Sequence, residues 1–410
     1  MFGKGCPRHQ QISQQVIAAD LPAQWHQDRQ SAGCQCQAGC CQPDTGRDKE
    51  VRRGKTMKKL MLMIITFMLV LSGCSYDINP DKKDEERKDV PETAVVRLAL
   101  NESGHILNSI AESQGYLEEE GIRVEYVSVE TDAEVFEGIR AGRIDIASNS
   151  GTNLPLQEIS FGLDLTIFGG YLLSGCMPIF ARVETPWNGI EDLIGKTMAC
   201  EPNMYAITGP LLDMGYDPLT QITWYNPEDQ MDRIEAVRNG EADFALVGTA
   251  LNYEVLNDPE LKILTYADDV LPAYSCCRAE ALTSWVNANP NTVKALLRAW
   301  IRAWAYYDAH HEETVKATVK QINLDEQVIR SYLDNPRFEL NADPMKTSVR
   351  RAWNYMERLG LLDEEARQIN IDDHINVTLY KAALDECQMR YGQDDPKFYE
   401  KLQAQFARNN

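Results

Sequence analysis

One nine-residue pattern occurs twice in this chain, about a hundred residues apart, and it limits the fold more than any other feature. The copies are Ile139-Arg140-Ala141-Gly142-Arg143-Ile144-Asp145-Ile146-Ala147 and Val237-Arg238-Asn239-Gly240-Glu241-Ala242-Asp243-Phe244-Ala245. Both read apolar-Arg-x-Gly-x-apolar-Asp-apolar-Ala. The Gly suits a helix C-cap, where a left-handed backbone costs little. The Asp opens a strand whose next residues are apolar. Each copy ends a longer series. In the first, residues 95–100 form an apolar run broken only by Arg97, a helix signal spans 104–120, Ile122, Val124 and Tyr126 alternate with charge, and a helix over 132–141 leads to a strand at Ile144 and Ile146. In the second, strands are expected at 197–200, 221–225 and 242–247, with helices at 203–214 and 228–239 between them. Two β-α-β-α-β series imply two parallel sheets covered by helices. Ligands of such sheets bind beyond the carboxyl ends of the strands, and two lobes place those ends across a cleft.

The rest of the body reads as helical. Val293, Leu296, Leu297, Trp300, Ile301 and Trp304 recur at i, i+3, i+4 after Asn289-Pro290, which makes both tryptophans core residues. Further helical patterns cover 346–359 and 377–389. His310-His311 reads as a surface pair at a helix end, where imidazole suits the dipole.

Residues 1–56 carry no periodic pattern. Cys34, Cys36, Cys40 and Cys41 lie there without the paired spacing of a metal site. Met57 is followed by Lys58-Lys59, an apolar run over 60–71 and Leu71-Ser72-Gly73-Cys74. This is a secretory signal, too short for the roughly 20 residues of a spanning helix. It makes 1–56 an over-extended start and 57–73 the signal. Leu-Ser-Gly-Cys resembles the bacterial lipobox, which implies a diacylated Cys74 and a lipid anchor on the extracytoplasmic face. Residues 75–93 are dense in charge and are expected to form, with Cys74, a flexible tether.

The chain has 41 Lys+Arg against 62 Asp+Glu, a formal charge of −21. This argues against nucleic-acid binding, which needs a basic face.

The lipobox, the tether and the two series resemble the solute-binding lipoproteins of ABC importers. Gly115-Tyr116-Leu117-Glu118-Glu119-Glu120-Gly121-Ile122, residues 139–147, Leu193-Ile194-Gly195-Lys196-Thr197, residues 236–245 and Asn289-Pro290-Asn291-Thr292-Val293 are similar to the SsuA/THI5 (NMT1-like) family over residues 94–310. The resemblance implies an α/β type II periplasmic-binding-protein fold with two lobes, 94–182 plus 272–410 and 183–271, and a helical C-terminal region. It places the crossings near 181–184 and 272–276. It implies a monomer that hands a small molecule to a permease and ATPase, without catalytic residues, cofactor or metal. The ligands of the family are sulfonates, taurine, nitrate or thiamine pyrimidines.

In that fold the loops after the strands line the cleft. Here they offer Asn101, Ser103 and His105, then Asn149, Ser150 and Thr152, then Glu201, Asn203 and Tyr205, then Thr249, with Tyr171 and Tyr274 near the crossings. Ser, Thr and Asn at these places also serve as helix caps. None of the loops contains Arg or Lys, while Glu102 and Glu201 favour a neutral or cationic nitrogen-bearing ligand over a sulfonate. Two other functions compete. Ser275-Cys276-Cys277 matches part of the Cys-rich motif of the pyrimidine-synthesis relatives, and the same lipoprotein architecture serves ligand sensing for a signalling partner.

Overall fold

The computed structural model describes residues 89–227 and 229–410. The proposed extension, the signal, Cys74 and most of the tether lie outside the described residues.

The first series builds β1 (Val95–Leu100) and β2 (Arg123–Ser128), paired in parallel. Between them the expected single helix is two, Ile106–Ser113 and Tyr116–Glu119, because Gly115 turns left-handed at φ 73°. The helix Asp132–Arg140 follows, and Gly142 (φ 64°) reverses the chain. Residues 144–147 then bridge Leu98 in parallel and Glu280 in antiparallel fashion. They join β1 to a group in which β3 (Leu165–Ser174) pairs with β9 (Cys277–Leu282) and β10 (Glu339–Leu340).

The second sheet has the order β6 (Thr223–Tyr225), β5 (Thr197–Ala199), β7 (Phe244–Leu246), β4 (Pro178–Arg182), β8 (Leu261–Tyr266). The second series supplies its parallel part, β5, β6 and β7. β4 and β8 run antiparallel beside them. Gly240 (φ 78°) caps the helix Gln230–Asn239 as expected.

The chain leaves the first sheet earlier than the sequence suggested. Ala181 and Arg182 already pair with Lys262 and Leu261, so they lie inside the second sheet. The passage is at residues 175–177. Gly175 sits at φ 74° with the Phe338 backbone 2.5 Å from where its Cβ would stand, so a side chain has no room. Met177 (φ 59°) is also left-handed, as is Ala273 (φ 56°) on the return path through 272–276.

The C-terminal helices serve both sheets, whereas the sequence reading gave them to the first alone. Pro290–Ala309 packs on Ile106–Ser113 and Val377–Tyr391, with Trp300 and Trp304 buried. Lys346–Leu359 lies instead on Tyr205–Asp213, where Tyr355 and Arg358 both reach Asp213. Glu326–Leu333 packs on Asn252–Asn257. Residues 89–93 are likewise not free tether. The Glu92 carboxylate accepts the N–H groups of Asn291 (3.1 Å) and Thr292 (2.9 Å), and Lys294 pairs with Asp89 at 2.8 Å. The first turn of Pro290–Ala309 has no side-chain cap of its own, and Glu92 satisfies its exposed donors. Among the described residues no helix is long and apolar enough to cross a membrane.

Candidate functional site

The loops after β1, residues 144–147, β5 and β7 carry most of the expected site residues, and the hydrogen bonds sort those residues into three groups. The first joins the two loops of the first sheet. Asn149 Nδ2 donates to Asn101 Oδ1 (2.8 Å) and to the Gly104 carbonyl (2.6 Å), and Asn101 Oδ1 also accepts the Ser103 N–H. Ser103 in turn accepts from the Tyr332 hydroxyl at its carbonyl. Ser150 is buried and donates to the carboxylate of Asp132, the first residue of Asp132–Arg140.

The second group ties the loops to the crossings and to each other. Thr152 Oγ1 donates to the Ser275 carbonyl at 2.5 Å, and the Tyr205 hydroxyl donates to the same carbonyl at 3.0 Å. Tyr205 and Tyr274 pack with ring centroids 5.3 Å apart, and the Tyr274 hydroxyl donates to Met204 Sδ. Asn203 Nδ2 donates to Gln157 Oε1 at 2.6 Å, linking the β5 loop to the helix Asn153–Ser160. Thr249 opens a short 3-10 turn after β7 and is buried.

The third group is core. His105 is fully enclosed, its ring stacked between Tyr171 (4.1 Å) and Trp300 (4.8 Å), and Nδ1 accepts the Asn108 N–H. Burial pushes its pKa down to about 3, so the ring is neutral. The Tyr171 hydroxyl accepts the Ile106 N–H. These two residues build the base of a loop.

Charge divides the site. Glu201 is ion-paired with Arg233 at 2.6 Å. Arg233 also reaches Asn226 Oδ1 and the Leu246 carbonyl, leaving only Nε without a partner. On the first sheet's side, burial and the facing Asp229 raise the pKa of Glu102. Crowding by surrounding atoms raises that of Asp132, with Glu201 adding to it, although the residue is exposed by area. Glu280 in β9 is completely buried and neither carboxylate oxygen has a hydrogen-bond partner. Burial holds its pKa well above the usual carboxylate range, Arg278 opposes this and Asp132 adds to it. Arg278 itself is turned to the Leu172 and Asp343 carbonyls and to Asn341. Among the described residues neither Glu102, Asp132 nor Glu280 forms an ion pair within 4 Å.

Sequence reasoning missed Glu280. Cys-Arg-Ala-Glu-Ala-Leu alternates charge with small residues, which reads as a half-exposed strand, and both faces are in fact covered. Glu280 belongs to a wider set. Ser148 Oγ, Asn153 Oδ1, Asn203 Oδ1 and both amide atoms of Asn252 are also buried without a partner, and all follow strand ends. Buried polar atoms are normally satisfied, so these loops hold hydrogen-bonding groups that the described residues do not use. The two shallow surface depressions of the described residues, one by Asp308, His311 and Asp334 and one by Arg238, Asp258 and Glu260, involve other segments.

Three thiols sit where the crossings meet. Cys276 and Cys277 are unbonded, with Sγ atoms 3.4 Å apart, and Cys176 of the other crossing hydrogen-bonds Cys276. All three are buried.

Comparison with known proteins agrees with this geometry. A curated relative from Bacillus subtilis (strain 168), described as "Putative aliphatic sulfonates-binding protein", is 22% identical, covering 80% of this chain and 98% of its own length. The crystal structure of the periplasmic aliphatic sulphonate binding protein SsuA from Escherichia coli matches with a TM-score of 0.57 at 19% identity, over 69% of this chain and 92% of that one. The periplasmic nitrate-binding protein NrtA from Synechocystis PCC 6803 gives 0.59 at 16% identity, over 72% and 90%. These likenesses identify the periplasmic-binding-protein fold. The family model described as NMT1/THI5 like matches residues 102–314, about half of the sequence, and the chain belongs to the NMT1/THI5-like family.

Proposed function

We propose that this chain is the substrate-binding lipoprotein of an ABC importer, anchored through a lipidated Cys74 and delivering a small organic solute to a permease and ATPase as a monomer. The observation that supports it best is the set of buried, unpartnered polar atoms of Ser148, Asn153, Asn203 and Asn252, which follow strand ends, and of Glu280 within β9, on two lobes joined by two crossings. Such a layout takes up a solute between the sheets and turns binding into a hinge motion at 175–177 and 272–276. Asn101, Ser103, Asn149, Ser150, Thr152, Glu201, Asn203, Tyr205, Thr249 and Tyr274 position or line that site, and His105 and Tyr171 support it from below. The relatives' names point to sulfonate and nitrate, while the acidic loops favour a nitrogen heterocycle.

The enzyme alternative would rest on Cys276 and Cys277. Cys276 hydrogen-bonds Cys176, Cys277 and Tyr274 and lies beside Arg278, and we read this fully buried set as hinge packing.

Thermal melting of the full chain with alkanesulfonates, nitrate, aminopyrimidines and polyamines tests the binding role. A saturable rise with at least one class is expected, since a ligand selective for the folded state stabilises it by mass action. No shift with any class contradicts the proposal. Membrane fractionation tests the anchor: Cys74→Ala is expected to release the protein, and unchanged membrane association rules the anchor out.

A further inference from the structure

Taking the cleft reading as the base, we infer that the site selects a solute carrying a positively charged nitrogen, and that the Glu280 carboxylate is the group that receives it.

Glu280 is the observation that a sulfonate or nitrate site leaves unexplained. A fully buried carboxyl without a single hydrogen bond is costly, and natural chains keep one only where something compensates. Among the described residues Arg278, two residues away on the same strand, opposes the cost by its charge, but its hydrogen bonds go to main-chain carbonyls and Asn341 and none reaches Glu280. The other charge that reaches Glu280 is Asp132, which repels it. Asp132 also lies near enough to Glu201, after β5, and Arg233, in the helix Gln230–Asn239, to feel their charges across the two lobes. Glu102 and Asp229 face each other in the same way.

The sign of the field follows. Of the cations that reach these carboxyls, Arg233 is paired with Glu201 at 2.6 Å and Arg278 is turned to carbonyls and Asn341. Glu102, Asp132 and Glu280 remain without a counter-ion. A cleft lined by one sign of charge concentrates ions of the other sign and repels like ones. An oxyanion entering here meets carboxylates, and an ammonium, guanidinium or amidinium group meets a ready acceptor. The unpartnered amide of Asn252 and the hydroxyl of Ser148 add neutral hydrogen-bonding capacity for the uncharged part of such a solute. Burial favours the protonated form of Glu280 in the free protein, so the negative field here comes from Glu102 and Asp132. A cation seated against it displaces that proton to solvent, so binding of one amine is expected to release up to one proton.

The test is thermal melting and titration calorimetry of the full chain with four probes: agmatine, putrescine, ethanesulfonate and nitrate. At least one amine is expected to raise the melting temperature saturably, and the two anions are not. Glu280→Gln keeps the shape and removes the charge, and it should weaken that amine at least tenfold. Asp132→Asn, on a solvent-exposed side chain, should weaken it several-fold, which guards against misfolding of the buried variant. Stabilisation by ethanesulfonate or nitrate without either amine overturns the inference and leaves the cleft reading standing. Amine binding unchanged in both variants also overturns it. No shift with any of the four probes overturns the inference, and the cleft reading is then decided by the wider screen that includes aminopyrimidines.

Discussion

The two repeated halves use one device at their centres and differ in how firmly it is held. In the first, Asp145 accepts the Arg97 N–H at 2.8 Å and returns its own N–H to the Arg97 carbonyl. In the second, Asp243 accepts the Thr197 N–H at 2.9 Å and returns its N–H to the Thr197 carbonyl. The shared Asp of the sequence pattern is thus a clamp that pairs a short strand with the central one. The first clamp adds the Arg97 guanidinium, and its Asp side chain is 6% exposed. The second has only Lys196 at 3.9 Å, and its Asp is 38% exposed. Charge in the cleft diverges in the same sense. The second half neutralises Glu201 with Arg233, and the first leaves its carboxylates without cations. A common fold element sets the frame in both, and the carboxyls without an ion pair lie on the first half's side.

The contrast breaks most visibly at the clamps. A hydrogen bond to a charged group contributes about 2 kcal/mol, and a pair with an exposed partner is worth about 1 kcal/mol or less. Asp145→Ala, whose carboxylate is buried against a half-exposed Arg97, should therefore lower unfolding stability by about 2 kcal/mol in urea, and Asp243→Ala by about 1 kcal/mol. Equal losses would show that the halves do not differ.

Acid response sharpens the comparison next. His105 of the first half has a folded-state pKa of about 3, below the usual 6.5 of an unfolded chain. Between these values the unfolded chain holds a proton that the folded one refuses. Stability from this group is complete above about pH 6.5 and falls by about 1.4 kcal/mol per unit as pH drops. His105→Asn keeps an acceptor for the Asn108 N–H and carries no charge, so the gap between variant and wild type should narrow steadily below pH 6.5. A gap independent of pH would contradict the neutral buried ring.

Glu280 gives the smallest effect and the opposite sign. Its raised pKa means that the folded chain keeps a proton the unfolded chain has lost, so this group lowers stability as pH rises through that range. Glu280→Gln should melt higher than wild type at pH 8, by of order 1 kcal/mol, with the difference vanishing in acid. A variant less stable at pH 8 would mean that the carboxylate has a stabilising partner in the protein.

The frame was legible because its signals are local. Strand β1 and the helix Lys346–Leu359 fall on the expected residues, and Gly142 and Gly240 take the left-handed turns their positions implied. Trp300 and Trp304 are core, as their spacing required. The misplaced features depend on partners distant in sequence. The first crossing falls at 175–177 because Phe338, far along the chain, crowds Gly175. Residues 89–93 look like solvated tether until a helix beginning at Pro290 needs an acceptor. Arg278 and Glu280 look like an exposed edge until later helices and loops cover β9. For the loops, sequence identified the polar residues and could not separate His105 and Tyr171, held in the core, from residues nearer the opening.

The central claim is that the space between the sheets takes one small solute whose charge is matched by the first half. Titration calorimetry of agmatine into the full chain at pH 7.5, repeated in buffers of different ionisation heat, tests it most directly. The account predicts saturable binding of one agmatine per chain with release of up to one proton, and loss of that release in Glu280→Gln. Saturable binding of ethanesulfonate in place of agmatine, with no proton released, would contradict it.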